Sequence, residues 1–145
     1  MKNRLIITLL ACLLTGISYA QVIKVKEGIS VLGLTASNAK SLIKSKGYIV
    51  EPSGVSDMIN FRKMTSLGDQ SLSIAIKDNK VNSISWEEHI MYASIIMGDV
   101  QIAGFEMGEV KTTKFYPFKN KEKNLVLSLI SKEETNQILI ILGKK

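Results

Sequence analysis

Cysteine is nearly absent from this chain. Cys12 stands alone, inside the apolar N-terminal run, and residues 21–145 contain none. That removes a disulfide frame, a thiol nucleophile and a cysteine-ligated metal from the rest of the chain. Histidine is equally scarce. A metal usually takes three or four ligands, so His89 would need help from the scattered Asp57, Asp69 or Asp99. Glu87-Glu88-His89 therefore reads as a polar connector. There is no glycine-rich phosphate loop, no aspartate-rich calcium loop and no Gly-x-Ser-x-Gly elbow. Glu87 and Glu88 are neighbours, so on a strand they face opposite sides and cannot form a facing acid–base pair. No catalytic residue, cofactor or metal is expected.

Charge of one sign is also modest. The formal net charge is +6, and +4 without Lys2 and Arg4. The lysines are dispersed, which suits a solvated surface or weak attraction to anionic polymers of a cell surface better than nucleic acid. Lys119, Lys121 and Lys123 form the densest basic spot, interrupted by Glu122.

Residues 1–20 read as a signal peptide. Lys2 and Arg4 precede a mostly apolar run over 5–14, shorter than the ~20 residues of a membrane-spanning helix. Ser18-Tyr19-Ala20 places small residues where a signal peptidase reads. The mature chain then begins at Gln21, one domain over 21–145 in the periplasm or outside the cell, with no transmembrane segment. Leu9-Leu10-Ala11-Cys12 offers a second route, a lipoprotein box with Cys12 acylated.

What the chain does have is an internal period. Gly47-Tyr48 recurs as Gly104-Phe105, Phe61-Arg62 as Phe118-Lys119 and Ala36-Ser37 as Ala93-Ser94, all 57 residues apart. A fixed period of this length marks a repeated supersecondary unit. Two pseudo-repeats, about 29–87 and 88–145, each read as a helix followed by strands. Residues 21–25 read as a short leading strand. Thr35 caps a helix with Ala39, Leu42 and Ile43 along one side, and Gly47 stops it. The second helix, over 91–103, buries Ile96, Val100 and Ala103, although Gly98 inside it costs ~1 kcal/mol against alanine.

The most readable piece is the hairpin after Gln70. Leu72, Ile74 and Ile76 share one face of its first strand. A three-residue turn, Asp78-Asn79-Lys80, pairs Ile74 with Ile84 and Leu72 with Trp86, keeping all of them on one side. Further strands fall over 58–64, 105–110, 113–118 and 125–129, with Pro117 at an edge or bulge. The final strand, 138–142, is apolar at every position. It reads as buried on both faces or seated at the seam of the halves. An outward Leu139 and Ile141 patch is the alternative.

Ile29-Ser30-Val31-Leu32-Gly33-Leu34-Thr35, followed by a helix, a Gly-aromatic stop and antiparallel strands, resembles the repeat of the beta-lactamase-inhibitor-protein-like superfamily. That group includes small outer-membrane assembly lipoproteins. The second copy carries Glu88-His89-Ile90-Met91 at the matching place, and the paired cysteines of some members are missing. The resemblance implies protein binding through an open sheet face and transfers no functional residue.

The expected fold is therefore α+β: a tandem α-β-β-β repeat, with an antiparallel sheet and two helices on one face. The opposite face would present Ser71, Ser73, Ala75, Lys77, Ser83 and Ser85, a polar set in which all but Lys77 are small and let another backbone approach. Tyr116 is added as an exposed aromatic. The leading expectation is a non-catalytic exported module that binds a protein or peptide there. A cell-envelope structural or assembly factor, lipid-anchored if Cys12 is acylated, is the alternative. A hydrolase built around His89 is the third reading.

Overall fold

The computed structural model describes residues 23–65 and 68–145. The readings of residues 1–20 and Cys12 fall outside the described residues. The fold is α+β. Its helices are α1 (Val25–Val31), α2 (Ala36–Ser45) and α3 (Ala93–Ile102). Its strands are β1 (Ile49–Glu51), β2 (Met58–Thr65), β3 (Gly68–Lys77), β4 (Lys80–His89), β5 (Glu106–Met107), β6 (Phe115–Asn120), β7 (Leu125–Lys132) and β8 (Gln137–Lys144). All join one open antiparallel sheet in the order β1-β2-β3-β4-β8-β7-β6-β5. The order is palindromic about the β4–β8 pair. Four strands, not three, follow each of α2 and α3, because the Gly-aromatic stops lead into short edge strands of their own.

A side-chain cap starts α2, and glycines stop both α2 and α3. Thr35 Oγ1 accepts the Asn38 N–H at 3.3 Å, as an N-cap does. Gly47 and Gly104 end the two longer helices at φ +87° and +81°, a left-handed geometry that glycine adopts freely. The aromatics after them, Tyr48 and Phe105, turn straight into the core. Asn120 finishes the α3 exit: its Nδ2 donates to Ala103 O at 3.1 Å while its Oδ1 accepts the Lys123 N–H.

Of the leading strand expected over 21–25, residues 21 and 22 lie outside the described residues; Ile23 and Lys24 join no strand, and Val25 begins the helix α1. The Lys24 N–H donates to Glu27 Oε2 at 2.9 Å, which closes its first turn. Burial pushes the Glu27 carboxyl up. The Lys46 ammonium at 2.5 Å and the Lys24 amide outweigh that and hold it below its ordinary value. α1 then crosses the seam of the sheet at its one glycine. A Cβ on Gly28 would lie 3.1 Å from Leu142 Cδ2 and 3.2 Å from Trp86 Cη2. Both side chains are fully buried, so the helix is seated directly upon them.

The β3–β4 hairpin keeps the expected pairs, Leu72 with Trp86 and Ile74 with Ile84. Its turn, however, has two residues, not three. Asp78 and Asn79 both take positive φ, 51° and 59°, the backbone that a two-residue type I′ turn requires. The extra residue sits in the strand instead. Ala75 pairs with Ser83 and Ile76 with Val81, leaving Asn82 as a bulge that restores the facing of Ile84 and Trp86.

The strand 138–142 is at the seam, between β4 and β7. It is not buried on both faces: Ile138, Ile140 and Leu142 are buried, whereas Leu139 is half-buried and Ile141 is 37% exposed. Glu87, Glu88 and His89 are not a connector but the end of β4. Glu88 is buried on the helix side, its Oε1 accepting the Ile23 N–H at 3.4 Å.

Two outcomes follow. Gly28→Val forces a branched side chain into Trp86 and Leu142 and is expected to cost ~1–3 kcal/mol in urea unfolding. Tyr48 has a buried hydroxyl that meets no hydrogen-bond acceptor among the described residues. Burial, with the charges of Glu88 and Glu27, raises its pKa well above the ordinary tyrosine value. The folded state thus holds this proton more tightly than the unfolded chain. The resulting stability is present below about pH 10 and is lost as pH rises beyond it. Tyr48→Phe is expected to leave stability at pH 7 unchanged or up to ~1 kcal/mol higher, and to lessen the alkaline loss seen in unfolding curves.

Candidate functional site: the open sheet face

Alternation divides every strand between two environments. Phe61, Leu72, Ile74, Ile84, Trp86, Ile140, Leu142, Leu127 and Phe118 form the helix-covered core. The intervening residues form the other face. One cross-strand row runs Glu51, Asn60, Ser73, Ser85, Ile141, Ser128, Pro117 across seven strands. A second row runs Met58, Ala75, Ser83, Gly143, Val126, Lys119, Glu106. The middle of the face is thus built of serine, alanine and glycine around Ile141.

The six β3 and β4 residues expected on one surface are brought together there. Ser73 pairs with Ser85, Ala75 with Ser83, and Ser71 and Lys77 flank them on β3. Ser73 Oγ donates to Asn60 Oδ1 at 2.8 Å, so this hydroxyl is already oriented within the face.

Tyr116 is not part of this surface. It pairs with Leu129, whose own partner is Ile140, so it belongs to the helix side. The miss is one of strand phase: the strand begins at Phe115, and Phe115 is the outward aromatic, 39% exposed. Tyr116 instead donates its hydroxyl to Thr113 O at 2.9 Å. It lines a cleft of about 440 Å³ with Ile90, Met97, Met107, Leu129 and Ile138.

The face is also less uniformly polar than expected. Ile49 (57% exposed) and Met64 (80%) lie toward its β1–β2 margin, with Met58 and Phe115 partly exposed elsewhere on it. Charges sit among them in pairs. Arg62 Nε meets Glu51 Oε1 at 2.9 Å, and its Nη1 meets Asp69 Oδ2 at 3.4 Å. Lys132 pairs with Glu87 near β8. The contribution of β7 and β8 was within reach of the sequence: Leu125, Leu127 and Leu129 facing inward require Val126, Ser128 and Ile130 to face outward.

His89 ends β4 beside Gln137, and its Nδ1 accepts the Met91 N–H at 3.2 Å, capping the turn into α3. Among the described residues no group of three or more His, Cys, Asp or Glu could hold a metal ion. Among them, no helix is long and apolar enough to cross a membrane. Comparison with protein-family models, curated proteins and solved structures finds no match to this chain.

Proposed function

We propose that this chain is an exported, non-catalytic module that binds a protein or peptide on its open sheet face. One observation carries the reading: among the described residues every helix packs on one side of an eight-stranded sheet, and the other side has a small-residue centre with apolar margins. Antiparallel sheets tolerate water on one face. A water-exposed face does not need Ile49, Met64, Phe115 and Ile141 at once, and a surface that sheds water onto a partner does. The serines at the centre lose little side-chain entropy on contact and offer hydroxyls to a partner's backbone.

The palindromic strand order supports a tandem duplication of an α-β-β-β-β unit. The matched left-handed glycines and the matched burial of Phe61 and Phe118 support it too. On that duplication rests the resemblance to the beta-lactamase-inhibitor-protein-like superfamily, and with it the use of an open sheet face. Export rests on the leader read in residues 1–20.

A photo-crosslinking side chain at Ser85 is expected to trap a discrete adduct in the native cell envelope. The same group at Lys40, exposed on α2, is expected to trap none. Ile141→Arg in the Ser85 background should remove the adduct while leaving the melting temperature within about 2 °C, as for a surface change. Equal labelling from Ser85 and Lys40, or an adduct indifferent to Ile141→Arg, overturns the proposal.

A further inference from the structure

Lysines that are dispersed along the sequence are gathered by the topology. β3 ends at Lys77 and β4 begins at Lys80, with the Asp78-Asn79 turn between them. β8 runs back to the same end of the sheet and finishes at Lys144, opposite Leu125 of β7. β6 reaches that end at Lys119 and Asn120, and the β6–β7 turn adds Lys121 and Lys123. The Lys145 N–H donates to Asn124 O at 3.1 Å, which ties the last residue to that turn. Seven exposed lysines thus stand across the ends of five consecutive strands, β3-β4-β8-β7-β6. With strands ~4.8 Å apart, the row is ~19 Å long.

Few carboxylates answer these charges. The acidic side chains at this end are Asp57, Asp78, Glu106 and Glu122. Seven against four leaves +3, most of the +4 carried by residues 21–145. Among the described residues only Lys121 of the seven is ion-paired, to Glu106 at 3.3 Å. The opposite end of the sheet differs: there Lys114 meets Glu133 and Lys132 meets Glu87. Neighbouring lysines of the row lie within a Debye length of ~8 Å, so their potentials add. Their mutual repulsion opposes folding, whereas the summed potential draws an anion. Two hollows lie along the row. Lys77, Lys80, Asn82 and Lys144 line one of about 410 Å³. Lys119, Asn124 and Lys145 line another of about 250 Å³.

We infer that this end of the sheet binds an anionic polysaccharide, its acid groups meeting the lysines and its hydroxyls the amides of Asn82 and Asn124. Lysine is a point charge that accepts carboxylate, sulfate or phosphate without a fixed geometry. An asparagine amide both donates and accepts, as a sugar hydroxyl does. Nucleic acid is matched less well: neither hollow is lined by an aromatic side chain to stack on a base, nor by an arginine to fork onto a phosphate. A bilayer is matched less well too, because a flat surface does not enter the hollows and no exposed large apolar side chain lines them. Lys77 also borders the open face, but the lysine row needs no partner there.

Calorimetric titration of a heparin octasaccharide into the chain from residue 21, at ~50 and ~200 mM salt, tests this. A Kd of ~10 µM is expected at the lower salt, weakening about tenfold at the higher. Lys80→Gln with Lys144→Gln is expected to weaken binding about tenfold and to leave the melting temperature within about 2 °C of wild type. Lys44→Gln with Lys111→Gln removes the same charge from exposed sites elsewhere and is expected to change binding less than about twofold. In NMR spectra of the wild-type chain, the amide signals of Asn82, Asn124 and Lys144 are expected to move during the titration, which locates the site without any variant. Absence of heparin binding overturns the inference. So does equal weakening by both pairs of substitutions, movement of signals confined to residues away from this end, or tighter binding of duplex DNA or phosphatidylglycerol vesicles than of heparin at equal anion concentration.

Discussion

The structure depends on the contact of Gly28 with Trp86 and Leu142. These two side chains come from β4 and β8, the strands at which the two four-stranded halves join. Nothing covalent reinforces that joint, because residues 21–145 contain no cysteine. α1 covers it from one side, and only a residue without a Cβ lets the helix descend onto an indole. Each fully buried large apolar side chain contributes ~1.5–3 kcal/mol relative to exposure. The rows Leu72, Trp86, Ile140, Leu129 and Ile74, Ile84, Leu142, Leu127 beneath the helices therefore hold the middle of the sheet together.

That one-sided burial creates the other face. Because side chains alternate along a regular strand, a core residue commits its neighbours to the far side. Ile141 lies outward since Ile140 and Leu142 lie inward, and Ser85 lies outward since Ile84 and Trp86 lie inward. The Asn82 bulge maintains this phase through the hairpin; without it the serines of β4 would be carried into the core and Ile84 and Trp86 into solvent. The functional proposal and the core are thus consequences of a single register.

Much of this was legible in the residues. The α+β class, the helix over 36–45 with its Thr35 cap and Gly47 stop, and the pairings Leu72–Trp86 and Ile74–Ile84 follow from periodicity and turn chemistry. The six β3 and β4 residues of the open face follow from them. What was hidden depends on tertiary contacts. α1 has no strong pattern of its own, and a mid-helix glycine at 28 is accounted for only once Trp86 is placed beneath it. The two-residue turn requires positive φ at both Asp78 and Asn79, and it was masked by a bulge three residues further along. Tyr116 was misplaced by one residue of strand phase, because the proline beside it gave no hint of which side faced the helices.

The account claims that neighbouring residues of β8 live in opposite environments, one sealed under helices and the other open to a partner. Paramagnetic relaxation of methyl NMR signals by an inert soluble probe measures this residue by residue. It should strongly broaden the Ile141 methyl signals and leave those of Ile140 and Leu142 sharp. Equal protection of all three, or broadening of Leu142 with Ile141 spared, would contradict the register on which the fold and the proposed binding face both stand.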